Sequence, residues 1–228
     1  MVEFGSTILF NDANLVAYYK LEDVNDNKGS RNLTNNGSVT FAAAKFNNGM
    51  VGDGSNTKYL NRLTDNYGLA GNGDCSFSMQ VKIVAAPSSG NQWAFVFHRS
   101  TTTAARFITL YYKNNGGTLQ LKVDNSDGVS FATYNVDLGT SAFHNIVLVR
   151  NGTSGLNLYL DGVNTSTTIA QGTADGGSQN DFWVGADGGN VGANAIIDDL
   201  AVFSRALTQT DVNMINGGDK ILKTNKFW

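Results

Sequence analysis

The chain is poor in cysteine, proline, glutamate and charge. One cysteine, Cys75, in 228 residues excludes an internal disulfide and an all-cysteine metal cage. Its setting in Asp74-Cys75-Ser76-Phe77-Ser78, at the start of an alternating run, predicts a buried thiol. Charged residues make up 15%, against about a quarter in ordinary domains. Sixteen Lys and Arg against 19 Asp and Glu leave a net charge of −3, with no basic cluster dense enough to follow a phosphate backbone. Nucleic acid is therefore excluded as a partner. Long apolar runs are missing too, the longest being about four to six residues against the ~20 of a membrane span. Residues 1–7 hold neither a basic stretch nor an apolar core of the kind a secretory leader has.

What is abundant is small and polar: 28 Asn, 26 Gly, 20 Thr and 16 Ser. This composition excludes coiled coils and helical bundles, which need Ala, Leu, Glu and Lys. With 13 Phe, 8 Tyr and 3 Trp spread through it and one proline, the chain does not read as disordered either. Period-2 patterns recur and end in Gly, Asn, Asp or Ser, which predicts antiparallel strands. The clearest is Ser76–Ile83, with Phe77, Met79, Val81 and Ile83 on one face. Further strands are expected at 92–98, 106–112, 118–123, 129–136, 144–150, 156–160, 181–185 and 195–203, and weaker ones at 15–21, 39–46 and 57–60. Asn114-Asn115-Gly116-Gly117, Asn125-Ser126-Asp127-Gly128 and Asp161-Gly162 have the chemistry of tight turns. Residues 23–36 read as a polar loop. Thr208, with Asp211 three residues on and Val212, Met214 and Ile215 after it, predicts one capped helix ended by Gly217-Gly218. The expected organisation is an N-terminal arm (1–12), one all-β two-sheet sandwich (13–216) and a C-terminal tail (217–228).

Four stretches in order carry a resemblance: Leu15-Val16-Ala17-Tyr18-Tyr19-Lys20-Leu21-Glu22-Asp23, Ser76-Phe77-Ser78-Met79-Gln80-Val81-Lys82, Phe143–Gly152 with Leu156–Gly162, and Ile197-Asp198-Asp199-Leu200-Ala201-Val202-Phe203 running into Ser204–Thr208. Together they resemble the laminin-G-like and concanavalin A-like jelly rolls of lectins, pentraxins and glycosidase accessory modules. Gln80 stands where that pattern has tryptophan. The resemblance implies a structural Ca²⁺ held by the Asp198 side chain, with Glu22 and Gly52 or Gly54 offering carbonyls, a donor chemistry that suits a cation taking about six to eight oxygens. The rival reading of Asp198 is a turn cap or an ion-pair partner. Asp23–Gly29 looks like an EF-hand start, but Lys28 fills the sixth position and Thr34 the twelfth, so it reads as a solvated loop.

Catalysis lacks its residues. A retaining glycoside hydrolase needs two carboxyls about 5–5.5 Å apart, and the chain has two glutamates in all, Glu3 and Glu22, neither with an acidic partner at strand spacing. Asp198 and Asp199 are adjacent, so alternation would send them to opposite faces. His98 and His144 follow no nucleophile elbow. Sugar recognition, by contrast, combines aromatic platforms with amide, carboxylate and guanidinium groups. Those types gather at Asn91, Gln92, Trp93, His98, Arg99, Arg106, Tyr111 and Tyr112, with Asp187 and Asn190 in a glycine-rich loop. The rival reading places Trp93, Phe95 and Phe97 together in the core.

The sequence thus predicts a non-catalytic surface recognition module that binds glycans or surface polysaccharide with a structural calcium ion, at an extracellular or virion surface. The alternative is a virion structural or decoration protein that uses the same fold to self-associate or to assemble with virion proteins. Lys220, Lys223, Lys226, Phe227 and Trp228 would then be docking residues.

Overall fold

A computed structural model describes residues 7–63, 65, 67, 69, 73–100, 107–125, 131–152, 155–165, 179–187 and 191–217. Short helix α1 (Thr7–Phe10) leads into β1 (Leu15–Tyr19), β2 (Thr34–Asn36), β3 (Thr40–Ala43), β4 (Asn48–Val51), β5 (Tyr59–Arg62) and β6 (Cys75–Ile83). Then follow β7 (Gln92–Ser100), β8 (Phe107–Asn115), β9 (Thr118–Asn125), β10 (Phe131–Asn135), β11 (His144–Asn151), β12 (Gly155–Leu160), β13 (Val163–Asn164), β14 (Gln179–Val184), β15 (Ala195–Phe203) and α2 (Gln209–Asn216).

The strands form two antiparallel sheets. One has eight strands in the order β13-β12-β11-β6-β15-β4-β3, with β1 also paired to β15; the other has seven, in the order β10-β9-β8-β7-β14-β5-β2. Alternation decides what lies between them. Phe77, Met79 and Val81 of β6 meet Leu110, Tyr112, Leu121, Phe182 and Val184 of the seven-stranded sheet in one buried cluster. Phe182 sits against Tyr67 (4.8 Å between ring centres), Phe77 (6.1 Å) and Tyr19 (6.5 Å), tying the two sheets with aromatic contacts. The Tyr19 and Tyr67 hydroxyls share a 2.7 Å hydrogen bond in this interior.

A second cluster covers the outer face of the eight-stranded sheet, where Leu9, Leu207, Val212 and Ile215 pack on Tyr18, Val147, Tyr159 and Phe203. Part of the expected N-terminal arm is therefore docked on the sandwich. Helix α2 begins as its sequence requires. Thr208 accepts from the Asp211 backbone N–H, and the Asp211 carboxylate accepts from the Thr208 N–H, a complete capping box.

Two-residue turns fall where glycine permits them. Asp161 (φ 50°) and Gly162 (φ 84°) link β12 to β13, and Gly116 (φ 61°) and Gly117 (φ 100°) link β8 to β9. Two regions depart from the expectation. Residues 34–36, within the expected loop, form β2 against β5. The single strand expected at 39–46 is instead a hairpin of β3 and β4, turned at Asn47 (φ 48°). Cys75 is buried, as expected.

Candidate functional site

At one end of the sandwich the chain leaves a cleft of 610 Å³, with walls from three segments: Gly54-Ser55-Asn56, Gly90–Trp93 with Lys113 across the strand pair, and Val191-Gly192. Lys113 is the one charged residue of that lining. Its position follows from register, since Gln92 pairs with Lys113 and Trp93 with Tyr112 where β7 meets β8. The 88–91 turn is fixed by Asn91 Nδ2 donating to Ser88 Oγ (2.6 Å) and by Asn114 Nδ2 donating to the Pro87 carbonyl (3.0 Å). Trp93 lies half-buried against the core and donates its indole N–H to the Ala85 carbonyl (2.9 Å).

The opposite wall depends on glycine. A β-carbon on Gly192 would stand 2.0 Å from the Ser55 carbonyl oxygen, so only glycine lets these two loops touch. Asp187 holds the same wall. Its Oδ1 accepts from the Val191 N–H (2.6 Å), its own N–H donates to the Val191 carbonyl (3.1 Å), and Ala193 N–H closes on the Gly185 carbonyl (2.8 Å). The Tyr111 hydroxyl donates to Asp187 Oδ2 (3.4 Å). A chain of contacts thus runs from β8 through Asp187 to the cleft wall.

Of the residues expected to bind sugar, Trp93 lines the cleft, with Asn91 and Gln92 beside it. Asp187 and Tyr111 are buried behind it and position it. Tyr112 belongs to the sandwich interior; burial, above all, pushes its hydroxyl up to about 12. Strand pairing is described for His98, opposite Phe182 and Ile108, and for Arg99, opposite Asp181 and Phe107. Asn190 and Arg106, like the tail residues Lys220, Lys223, Lys226, Phe227 and Trp228, lie outside the described residues. Sequence reasoning missed Ser55, Asn56, Lys113, Val191 and Gly192. The available signal was the glycine-rich stretch at 52–54, read as carbonyl donors for calcium, and Gly192.

Of Trp93, Phe95 and Phe97, the three read as a shared core face, Phe95 lies in the core cluster and Trp93 packs against it. The β7–β8 register shifts between Ala94 and Val96, so Phe95 and Val96 both enter the core cluster and Phe97 takes the register row of Trp183 and Thr109.

Of the expected calcium ligands, Asp198 has another partner and Gly52 and Gly54 are paired further along the chain. Asp198 is 1% exposed, and its Oδ2 accepts the Phe46 N–H (2.8 Å), which caps the β3–β4 turn. Gly52 is bonded to Ala195 and Gly54 to Ala193. Gly52 is thus level with a residue three positions along β15 from Asp198, about 10 Å at the usual rise, and Gly54 with one that precedes the strand. Glu22 is half-buried in the turn after β1. Among the described residues, no three His, Cys, Asp or Glu side chains come together as a metal group. Asp198 and Asp199 do not diverge either. A bulge between Asp198 and Ala201 leaves Asp199 at φ 57°. Asp199 accepts the Tyr18 hydroxyl, while Asp198 pairs with Gln80, so both carboxylates lie on the outer side of the eight-stranded sheet. His144 is held at both ring nitrogens, by Asp161 Oδ2 (2.8 Å) and the Leu138 carbonyl (2.9 Å).

Two facing antiparallel sheets, with a polar cleft at one end and a covered outer face, define the class as a jelly-roll sandwich. A family model described as the concanavalin A-like lectin/glucanases superfamily matches residues 53–213, and the chain belongs to that family. No curated protein sequence matches the chain. Among solved structures, it is similar to domain 4 of AbnA, a GH43 extracellular arabinanase from Geobacillus stearothermophilus, solved in complex with arabinotriose: 19% identity, TM-score 0.68, 90% of this chain and 100% of that one. It is also similar to botulinum neurotoxin type C in a structure concerned with cell entry through two ganglioside molecules (11% identity, TM-score 0.70, 92% and 52%). A third is the binding domain of Paraclostridial Mosquitocidal Protein 1 (15% identity, TM-score 0.68, 89% and 52%). The chain spans about half the length of these two toxin chains. At such identities the likeness is one of fold.

Proposed function

We propose that the protein is a non-catalytic carbohydrate-recognition module, displayed outside the cell, that takes glycans in the cleft beside Trp93. The observation that carries this reading is the lining itself. An indole, four neutral polar side chains (Ser55, Asn56, Asn91, Gln92) and one cation surround a groove large enough for a short oligosaccharide. An aromatic edge with amide donors and acceptors suits the mixed apolar and hydroxyl surface of a sugar ring. The arabinotriose and ganglioside named for its structural neighbours support the ligand class. Calcium enters through the assay, whose two arms differ only in the presence of the ion.

The test is a glycan-array and polysaccharide-binding screen with calcium and again with EDTA, run on the parent, Trp93→Ala and Gln92→Ala. The expected result is retention of a glycan by the parent and its loss in both variants, which keep the parent's circular dichroism. A parent that retains nothing under either condition overturns the reading and turns attention to assembly with other proteins.

A further inference from the structure

The cleft beside Trp93 carries a charge that its amides do not balance. In the four segments that line or flank it, 52–58, 85–93, 113–118 and 185–194, the sequence holds two acids, Asp53 and Asp187, and two cations, Lys58 and Lys113. Three of these four have partners in the protein. Lys58 Nζ lies 2.8 Å from Asp53 Oδ2, and Asp53 Oδ1 accepts the Ser55 N–H (3.0 Å). Asp187 is buried, with Oδ1 on the Val191 N–H (2.6 Å) and Oδ2 on the Tyr111 hydroxyl (3.4 Å).

Lys113 is the fourth. It stands half-buried near the end of β8. Register sets it opposite Gln92 on β7 and Gln120 on β9, and Gln120 Nε2 donates in turn to Asn135 Oδ1 on β10 (2.7 Å). The row across these four strands is thus one lysine among amides. Among the described residues, Lys113 has no carboxylate partner. A half-buried ammonium has lost part of its hydration without gaining a counter-charge, and an incoming anion would supply one. The chain's net charge of −3 does not cancel this attraction, because charges further off than about 8 Å are largely screened at physiological ionic strength.

The chemistry narrows the ligand. An ammonium is a compact point charge with three donors and no acceptor. It lacks the planar fork by which a guanidinium selects a carboxylate, so a carboxylate and a sulfate ester serve it alike. The Trp93 indole N–H is already given to the Ala85 carbonyl, which leaves the ring surface for the apolar side of a pyranose. Asn56 and Gln92 bring amide groups suited to neutral hydroxyls.

We propose that the cleft selects acidic saccharides, uronates or sulfated sugars, through an ion pair with Lys113. This selectivity rests on the cleft being the saccharide site, and adds the sign of the ligand's charge and the residue that reads it.

The test is calorimetry with three trisaccharides: trigalacturonate, its methyl ester, which keeps the rings and removes the charge, and a sulfated galactose trisaccharide. The parent, Lys113→Gln and Lys113→Arg are each titrated at about 50 mM and about 500 mM NaCl. In the parent at low salt, both acids should bind about tenfold tighter than the ester, the scale of one hydrogen bond to a charged group. High salt should shrink that preference. Lys113→Gln should bring the ratio of acid to ester affinity to about one, and Lys113→Arg should keep it. Both variants should melt as the parent does, since Lys113 gives up no ion pair. A preference shown by one acid alone and lost in Lys113→Gln upholds the proposal and names the anionic group. Equal binding of acid and ester by the parent overturns it, and loss of that binding in Trp93→Ala would keep the cleft as the saccharide site. An acid preference that survives in Lys113→Gln also overturns it, by placing the selecting charge elsewhere. So does a folded parent that binds none of the three; retention of a neutral glycan on the array would then keep the cleft reading, and retention of nothing would end both.

Discussion

Arg205 reaches across 193 positions to Asp12, its Nη2 lying 2.7 Å from Oδ2 and its Nε donating to the same oxygen at 2.7 Å. Its Nη1 meets Asp211 Oδ2 at 2.7 Å. One guanidinium thus joins the segment after α1, the end of β15 and the first turn of α2, all at the second cluster. Removing its fork from two partly buried carboxylates strands both.

Arg205→Ala is expected to destabilise the protein by about 2 kcal/mol. Burial alone would raise the carboxyls of Asp12 and Asp211, but hydrogen bonds from Arg205, Asn14 and Thr208 outweigh it and hold both below the ordinary 3.8. A depressed folded-state value contributes stability that is full above the unfolded value and lost as pH falls through the folded one. Melting temperature should therefore drop on acidification below about pH 4, and Arg205→Ala should flatten that drop. Melts from pH 7 to 2.5 decide it; parallel curves would count against it.

Gly192→Ala should open or distort the cleft, because the new methyl would enter the Ser55 carbonyl. Saccharide affinity is expected to fall at least tenfold, with a melting temperature lowered by several degrees, as about 1–3 kcal/mol of overpacking gives. Unchanged affinity would show that the 55–56 and 191–192 loops do not form the binding wall.

Asp187→Ala and Asp187→Asn separate holding a loop from carrying a charge. Asparagine retains an oxygen for the Val191 N–H, so Asp187→Asn should keep most of the affinity while Asp187→Ala loses it. Equal losses would mean that the charge is what matters.

Asp198→Ala should cost about 1–3 kcal/mol, by orphaning the Phe46 N–H, and cost the same in EDTA as in calcium. A penalty seen only with calcium present would restore the metal role.

Much of this fold was legible because strands with one buried face write their period into the sequence. Ser76–Ile83 and the turns at Asp161-Gly162 and Gly116-Gly117 needed nothing beyond local chemistry. Local rules failed at the bulges. The extra residue near Phe95 puts the adjacent Phe95 and Val96 both into the core, and the one near Asp199 brings two adjacent carboxylates to one side. Period-2 reading has no term for an inserted residue. The cleft was half legible. Trp93 and Asp187 could be suspected from type, but Lys113, Val191 and Gly192 reach it through pairings across strands.

Helices α1 and α2 both rest on the eight-stranded sheet, on the side of the sandwich turned away from the seven-stranded sheet. A dye, bead or sensor chip coupled through either helix would meet that covered side first. The cleft takes none of its lining from either helix and would be left open to whatever flows past.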